Sequence, residues 1–257
     1  MELGLEGRRA LVVGASKGLG LACAQALCEE GAVVVLSSRS DARLEAAAKA
    51  IGAAGWVAGD VARASDVDHV VDTAARQLSG LDILVTNAGG PPTGPFEGAD
   101  DGDWQIGHEL TVMSAVRLIR RALPHLRASG CGRIVNLTGY GVTEPMRDLV
   151  VSDASRAAVT VMAKTIASDL APDGITVNNI APGPILTDRL RELHAARAAE
   201  QGRSLDEQLS AFRRTIPVGR VGEPGEVGKL CAFLCSAHAG YITGQSIVID
   251  GGINRSI

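Results

Sequence analysis

Ala10-Leu11-Val12-Val13-Gly14-Ala15-Ser16-Lys17-Gly18-Leu19-Gly20 sets four apolar residues before a glycine-spaced turn, and a helical pattern follows it. Each glycine has a physical task in such a turn. Gly14 permits the tight bend, Gly18 lets the backbone approach a pyrophosphate, and Gly20 allows the helix to pack closely. Unpaired N–H groups and the positive dipole end at the helix start suit phosphate, and Ser16, Lys17 and Leu19 lie in the same turn as candidate contacts. Glycine spacing alone is weak evidence. The strand before it, the helix after it and a second apolar strand further on make this a dinucleotide-binding signature.

Working outward, short β-branched runs alternate with helical stretches of ten to twenty residues. Strands are predicted at 10–13, 32–36, 55–58, 82–86, 133–137, 175–178 and 245–249. The expected fold is a single-domain α/β, Rossmann-type doubly wound parallel sheet of about seven strands flanked by helices. A chain of 257 residues can bury one large core, so one domain over 1–257 is expected. One segment breaks the rhythm: 187–215 is charged and helical, with no strand after it.

Hydrophobic residues make up 46% and aromatics 3%, so the core is expected to be aliphatic. A net charge of −4 with scattered Lys and Arg provides no basic stripe, which argues against a nucleic-acid partner. No apolar run approaches bilayer length, so no membrane association is expected and the location is predicted to be cytoplasmic. The cysteines, Cys23, Cys28, Cys131, Cys231 and Cys235, make no disulfide framework. Cys231, Cys235 and His238 lie on one helix and its end without a distant fourth ligand, and no metal site is expected.

The second strand ends in Leu-Ser-Ser-Arg-Ser, so Ser38 and Arg39 stand where a carboxylate would grip the ribose 2′-hydroxyl of NAD(H). A carboxylate there repels a 2′-phosphate, whereas Arg39 and Lys17 can neutralise one. NADP(H) is therefore favoured over NAD(H).

Together with Gly-Arg-Ile-Val-Asn-Leu at 132–137 and the helix that opens near Ser152, these motifs resemble the short-chain dehydrogenase/reductase family. The resemblance covers nearly the whole chain. It implies that Asp60, with Val61, meets the adenine; that Asn87, Ala88, Gly89, Pro182 and Gly183 line the cofactor; and that Ile185 and Thr187 hold the nicotinamide amide. It also implies that 187–215 is a substrate lid. Asn-Ala-Gly-Gly-Pro-Pro at 87–92 resembles a divergent β-ketoacyl carrier-protein reductase-like group with a non-standard active site. Val13 stands where the family usually has Thr.

The same alignment exposes a mismatch. The family's Ser, Tyr and Lys fall on Gly139, Ser152 and Arg156, and its Asn falls on Thr111. A serine cannot act as the phenolic acid, and a guanidinium with its pKa above about 12 donates hydrogen bonds but keeps its proton. Positioned acid catalysis contributes roughly 10²- to 10⁴-fold, so hydride transfer survives its loss, but slowly. Ser152 and Arg156 share a helix face and can polarise a carbonyl while water delivers the proton. Tyr140 is the alternative acid, with a packed strand-end tyrosine as its plainer reading; Glu144, Asp153 and His108 have ordinary surface explanations.

Three functions stay open at this point. The first is an NADP(H)-dependent oxidoreductase of a small carbonyl, alcohol or activated enone with an altered proton path. The second is a non-redox isomerase, dehydratase or lyase on the same scaffold, and the third is a catalytically silent NADP(H)-binding subunit. The resemblance implies a homo-oligomer, a dimer or tetramer, built through the long helices around Ala115 and Val159 and through the last strand.

Overall fold

The computed structural model of the chain describes residues 2–256. In chain order the elements are β1 (Arg9–Val13), α1 (Gly18–Glu29), β2 (Val33–Ser38), α2 (Asp41–Ile51), β3 (Gly55–Ala58), α3 (Ala64–Leu78) and β4 (Ile83–Thr86). Then come α4 (Asp101–Gly107), α5 (Ser114–Ser129), β5 (Arg133–Leu137), α6 (Val150–Leu170) and β6 (Thr176–Pro182). The chain closes with α7 (Asp188–Glu200), α8 (Leu205–Arg213), α9 (Pro224–Cys235) and β7 (Ser246–Ile249).

The seven strands form one sheet in the order β3-β2-β1-β4-β5-β6-β7, and every neighbouring pair is parallel. Strands buried on both faces read as continuous apolar runs, which is why β1, β4 and β5 were legible without alternation. Leu11, Leu84 and Ile134 face a layer containing Val70, Leu118 and Ala163. On the other side Val12, Val34 and Leu36 meet Leu27, Val227 and Cys231. The strand order switches sides between β1 and β4, so a crevice opens beyond their carboxyl ends, the usual place for a ligand in such sheets.

The expected strands are all present. The one marked difference is β6, predicted to end at 178 but continuing to Pro182, because Asn179 to Pro182 pair in register with Ser246 to Ile249. Proline is tolerated there at the strand's last position, since it lacks only a ladder donor. A side-chain ladder, buried from Thr86 to Asn179 and ending at the exposed Ser246, crosses this half of the sheet. Thr86 Oγ1 donates to Asn136 Oδ1 (2.7 Å), Asn136 Nδ2 to Asn179 Oδ1 (2.9 Å), and Asn179 Nδ2 to Ser246 Oγ (2.9 Å).

Between α4 and α5 the helix widens into a π turn over His108–Met113. Ala115 and Val159, around which subunit pairing was expected, are both buried inside the chain, so they cannot themselves form an outer face. Among the described residues no helix is long and apolar enough to cross a membrane.

Candidate active site

The glycine turn is a close-packed joint between β1 and β4. Gly14 (φ +64°) and Gly18 (φ +61°) are left-handed, and a Cβ on Gly14 would stand 2.6 Å from Asn87 Nδ2 and 2.9 Å from its carbonyl oxygen. Asn87 Nδ2 donates to the Gly14 carbonyl (3.1 Å), so Asn87 clamps the turn. A Cβ on Gly20 would collide with that same carbonyl. The α1 N-terminus begins at Gly18 with no side-chain cap, which leaves its first N–H groups open to the crevice.

At the β2 end, Ser38 Oγ is buried with no partner, and no carboxylate follows until Asp41. Arg39 is exposed and makes no ion pair among the described residues, whereas Lys17 is paired across the crevice with Asp188 (3.2 Å). Asp60 Oδ1 accepts from the Ala62 N–H (3.2 Å), and Val61 beside it is buried. Ala88 follows Asn87 into the crevice wall, and Gly89 after it is exposed. Left-handed glycines and an open helix end together fit the pyrophosphate of a dinucleotide, with the orphaned Ser38 hydroxyl at the end of the second strand.

The opposite wall is Pro182 to Thr187. A Cβ on Gly183 would collide with Asp250, so only glycine fits against the Asp-Gly-Gly turn. Ile185 is buried and bridges to Gly222. Thr187 caps α7, its side chain accepting from the Leu190 N–H, a structural duty that the motif alone did not predict.

On α6, facing the end of β5, the chain holds a fixed guanidinium. Arg156 Nη1 donates to the Leu137 carbonyl (3.1 Å) and the Thr138 carbonyl (2.7 Å), and Nε donates to Ser152 Oγ (3.2 Å). Nη2 makes no bond among the described residues, and Ser152, having accepted from Arg156, keeps its own O–H to donate. The pair thus presents free donors to the cleft that both side chains line. Burial, and then the facing Arg189, push the Arg156 guanidinium down to about 10, below the ordinary arginine range expected from sequence. It remains charged at neutral pH.

Behind Arg156 lies a small, partly open void of about 20 Å³, lined by Asn87, Thr111, Ser114 and Thr138 among others. Thr111 Oγ1 is buried without a partner. The π turn places Thr111 at this void, which has room for one water molecule.

In front of Arg156 the cleft, about 230 Å³, runs from the Gly139–Tyr140 turn to the paired helices α7 and α8. Tyr140 lines it, but its hydroxyl donates to Met146 Sδ (3.0 Å). Burial first, and then the Asp153 and Glu144 carboxylates, hold that phenol above its ordinary value, which makes it a poorer acid. Asp153 corrects the sequence reading: it is 6% exposed rather than a surface residue. Its Oδ2 accepts from the Met146 N–H (2.8 Å), it packs against Gly141, and burial raises its pKa. Glu144 and His108 are exposed, as their plainer reading has it.

Sequence reasoning missed the cleft residues from the 187–215 segment beyond Thr187, among them the ionisable Arg189, His194 and Arg197. The segment folds as two helices, and its apolar spacing is too irregular to show which side faces inward. His194 next to a charged run was the available signal, and it carried no direction.

Comparison with known proteins agrees with the fold. Residues 14–254 match the family model described as enoyl-(acyl carrier protein) reductase. A 3-oxoacyl-[acyl-carrier-protein] reductase of Vibrio cholerae is 32% identical over 252 residues, covering 98% of this chain and 99% of the relative. The 3beta-hydroxysteroid dehydrogenase 1 of Eggerthella lenta is 35% identical over 255 residues, covering 97% and 94%. Among solved structures, L-sorbose reductase from Gluconobacter frateurii, in complex with NADPH and L-sorbose, superposes with a TM-score of 0.95 at 34% identity over 100% of both chains.

Proposed function

This chain belongs to the short-chain dehydrogenase/reductase family, and we propose that it is an NADP(H)-dependent oxidoreductase of a small carbonyl or alcohol, or of an activated enone. The nicotinamide, when bound, supplies or accepts the hydride. The chain's own contribution differs from the family pattern. Arg156 and Ser152 polarise the substrate oxygen through the free Nη2 and hydroxyl donors, and water delivers the proton. Tyr140 fits poorly as the acid, since its hydroxyl is engaged and its pKa is raised.

The observation that carries this reading is the triple anchoring of Arg156 to Leu137, Thr138 and Ser152, which aims the remaining donors at the cleft. A guanidinium held by three partners costs little reorganisation as charge develops on a nearby oxygen. An activated enone needs polarisation more than a strong acid, so it suits this site best.

For the cofactor we assign Gly14, Ser16, Lys17, Gly18, Leu19 and Gly20 to the phosphates and Ser38 with Arg39 to the 2′-phosphate. Relatives solved with NADPH support the choice of NADP(H). The 187–215 segment acts as the substrate lid, and a homo-oligomer is the expected assembly.

Fluorescence titration of NADPH, followed by nicotinamide absorbance with a panel of ketones and enones, tests this. Tight binding with slow turnover, faster on enones, is the expected result. Binding with substrate conversion but no change in nicotinamide absorbance means a non-redox enzyme instead.

A further inference from the structure

His194 is 1% exposed, yet neither ring nitrogen has a hydrogen-bond partner. Its ring packs on Phe212, with centroids 4.3 Å apart, and it lines the substrate end of the cleft. Buried polar groups are almost always bonded, so an imidazole in the cleft wall whose two nitrogens are both shut from solvent and idle calls for a partner, which a turn of the ring toward the cleft would let a ligand supply. Arg197 lies one turn further along α7 on the same cleft, tied only to Asp148 at 3.5 Å.

Charge points the same way. The whole chain is net acidic at −4, but the charged residues of the cleft are Arg156, Arg189 and Arg197 against the single carboxylate of Asp153. That carboxylate is turned to the Met146 N–H. A cationic cleft in an acidic protein favours an anionic ligand.

We infer that the lid end of the cleft is a carboxylate subsite, in which His194 and Arg197 hold the acid group of a small oxo- or hydroxy-acid. This names the substrate class for the activity proposed above and rests on that reading. Arg156 and Ser152 then meet the reacting oxygen at the other end. A neutral imidazole offers one N–H to the carboxylate and one lone pair to a neighbouring hydroxyl. Leu190, Leu193 and Met146 wall the space between, so the body of the ligand is apolar. Phosphate fits less well, because His194 sits in the middle of α7, away from the open N–H groups of the helix start at Asp188.

The test titrates wild-type protein by calorimetry with acetoacetate and 2-oxoglutarate, each beside its methyl ester, and with L-sorbose and inorganic phosphate, while NADPH binding is followed separately by fluorescence. The acids should bind about ten-fold tighter than their esters, and His194→Leu and Arg197→Gln should each remove most of that preference. NADPH affinity should stay unchanged in both variants. Arg197 is partly exposed, so its substitution carries the test if His194→Leu lowers the melting temperature. Esters or L-sorbose binding as well as the acids, phosphate binding more tightly than either acid, or a preference retained in both folded variants, overturns the subsite. Acid preference without NADPH binding leaves the subsite standing and removes the cofactor reading instead.

Discussion

Arg156 packs beside Gly139: a Cβ on Gly139 would stand 3.4 Å from Arg156 Cδ, in ordinary van der Waals contact. The two residues therefore share one wall of the cleft. The arginine reaches past Gly139 to the Leu137 and Thr138 carbonyls.

Arg156→Gln removes the charge while leaving Ser152 in place. If the guanidinium stabilises developing negative charge, kcat falls by about 10²- to 10³-fold, with NADPH affinity changing far less. Single-turnover absorbance and fluorescence titration separate the two effects. Equal losses in both would make Arg156 a cofactor ligand only.

Ser152→Tyr combined with Arg156→Lys rebuilds the family's acid pair in this frame. Carbonyl reduction should rise by about 10-fold or more, part of the range that positioned acid catalysis supplies. A folded double variant that gains nothing means that the substrate pocket no longer presents a ketone to that pair.

Gly14→Ala and Gly52→Ala make a matched comparison. Both glycines are left-handed, at φ +64° and +70°, but a Cβ at Gly52 meets nothing within 4 Å whereas one at Gly14 meets Asn87. Gly52→Ala should cost about 1 kcal/mol in urea unfolding and leave NADPH binding intact. Gly14→Ala should cost more and abolish NADPH binding, since the turn must move away from Asn87.

Glu226 gives a pH prediction. Its carboxylate accepts from both Arg220 Nη atoms (2.8 and 2.7 Å) and from the Glu223 N–H (2.8 Å), and these partners hold it near a pKa of about 2. The folded value lies below the unfolded one, so the stabilisation is full above pH 4.5 and fades as pH falls toward about 2. The pair is partly exposed, and solvent screening keeps the effect to about 1 kcal/mol. Glu226→Gln should therefore lower the melting temperature at pH 7 and match wild type near pH 2. Because Gly222 beside it bridges to Ile185, the variant should also weaken NADPH binding slightly.

The sheet and the nucleotide crevice were legible because their signals are local. Apolar runs such as Leu11 to Val13 need no partner to be recognised, and Gly14, Gly18 and Gly20 carry their backbone requirement in the residue type itself. Gly139, Ser152 and Arg156 could be placed because strand β5 and helix α6 fix their spacing. Asp153 was misread because its burial comes from Gly141, a contact made by the turn after β5. His194 and Arg197 were missed because α7 packs by tertiary contact, with little apolar periodicity of its own.

The hydrogen-bonded ladder from Thr86 through Asn136 and Asn179 to Ser246 lies just beneath the strand ends that carry Asn87, Gly139 and Gly183. Cutting it at Asn136 strands the groups on either side in a dry interior, so rupture at one rung unsettles its neighbours. The platform bearing both reaction partners consequently loosens as a block, and slow amide exchange along β4, β5 and β6 should collapse together in an Asn136→Leu protein.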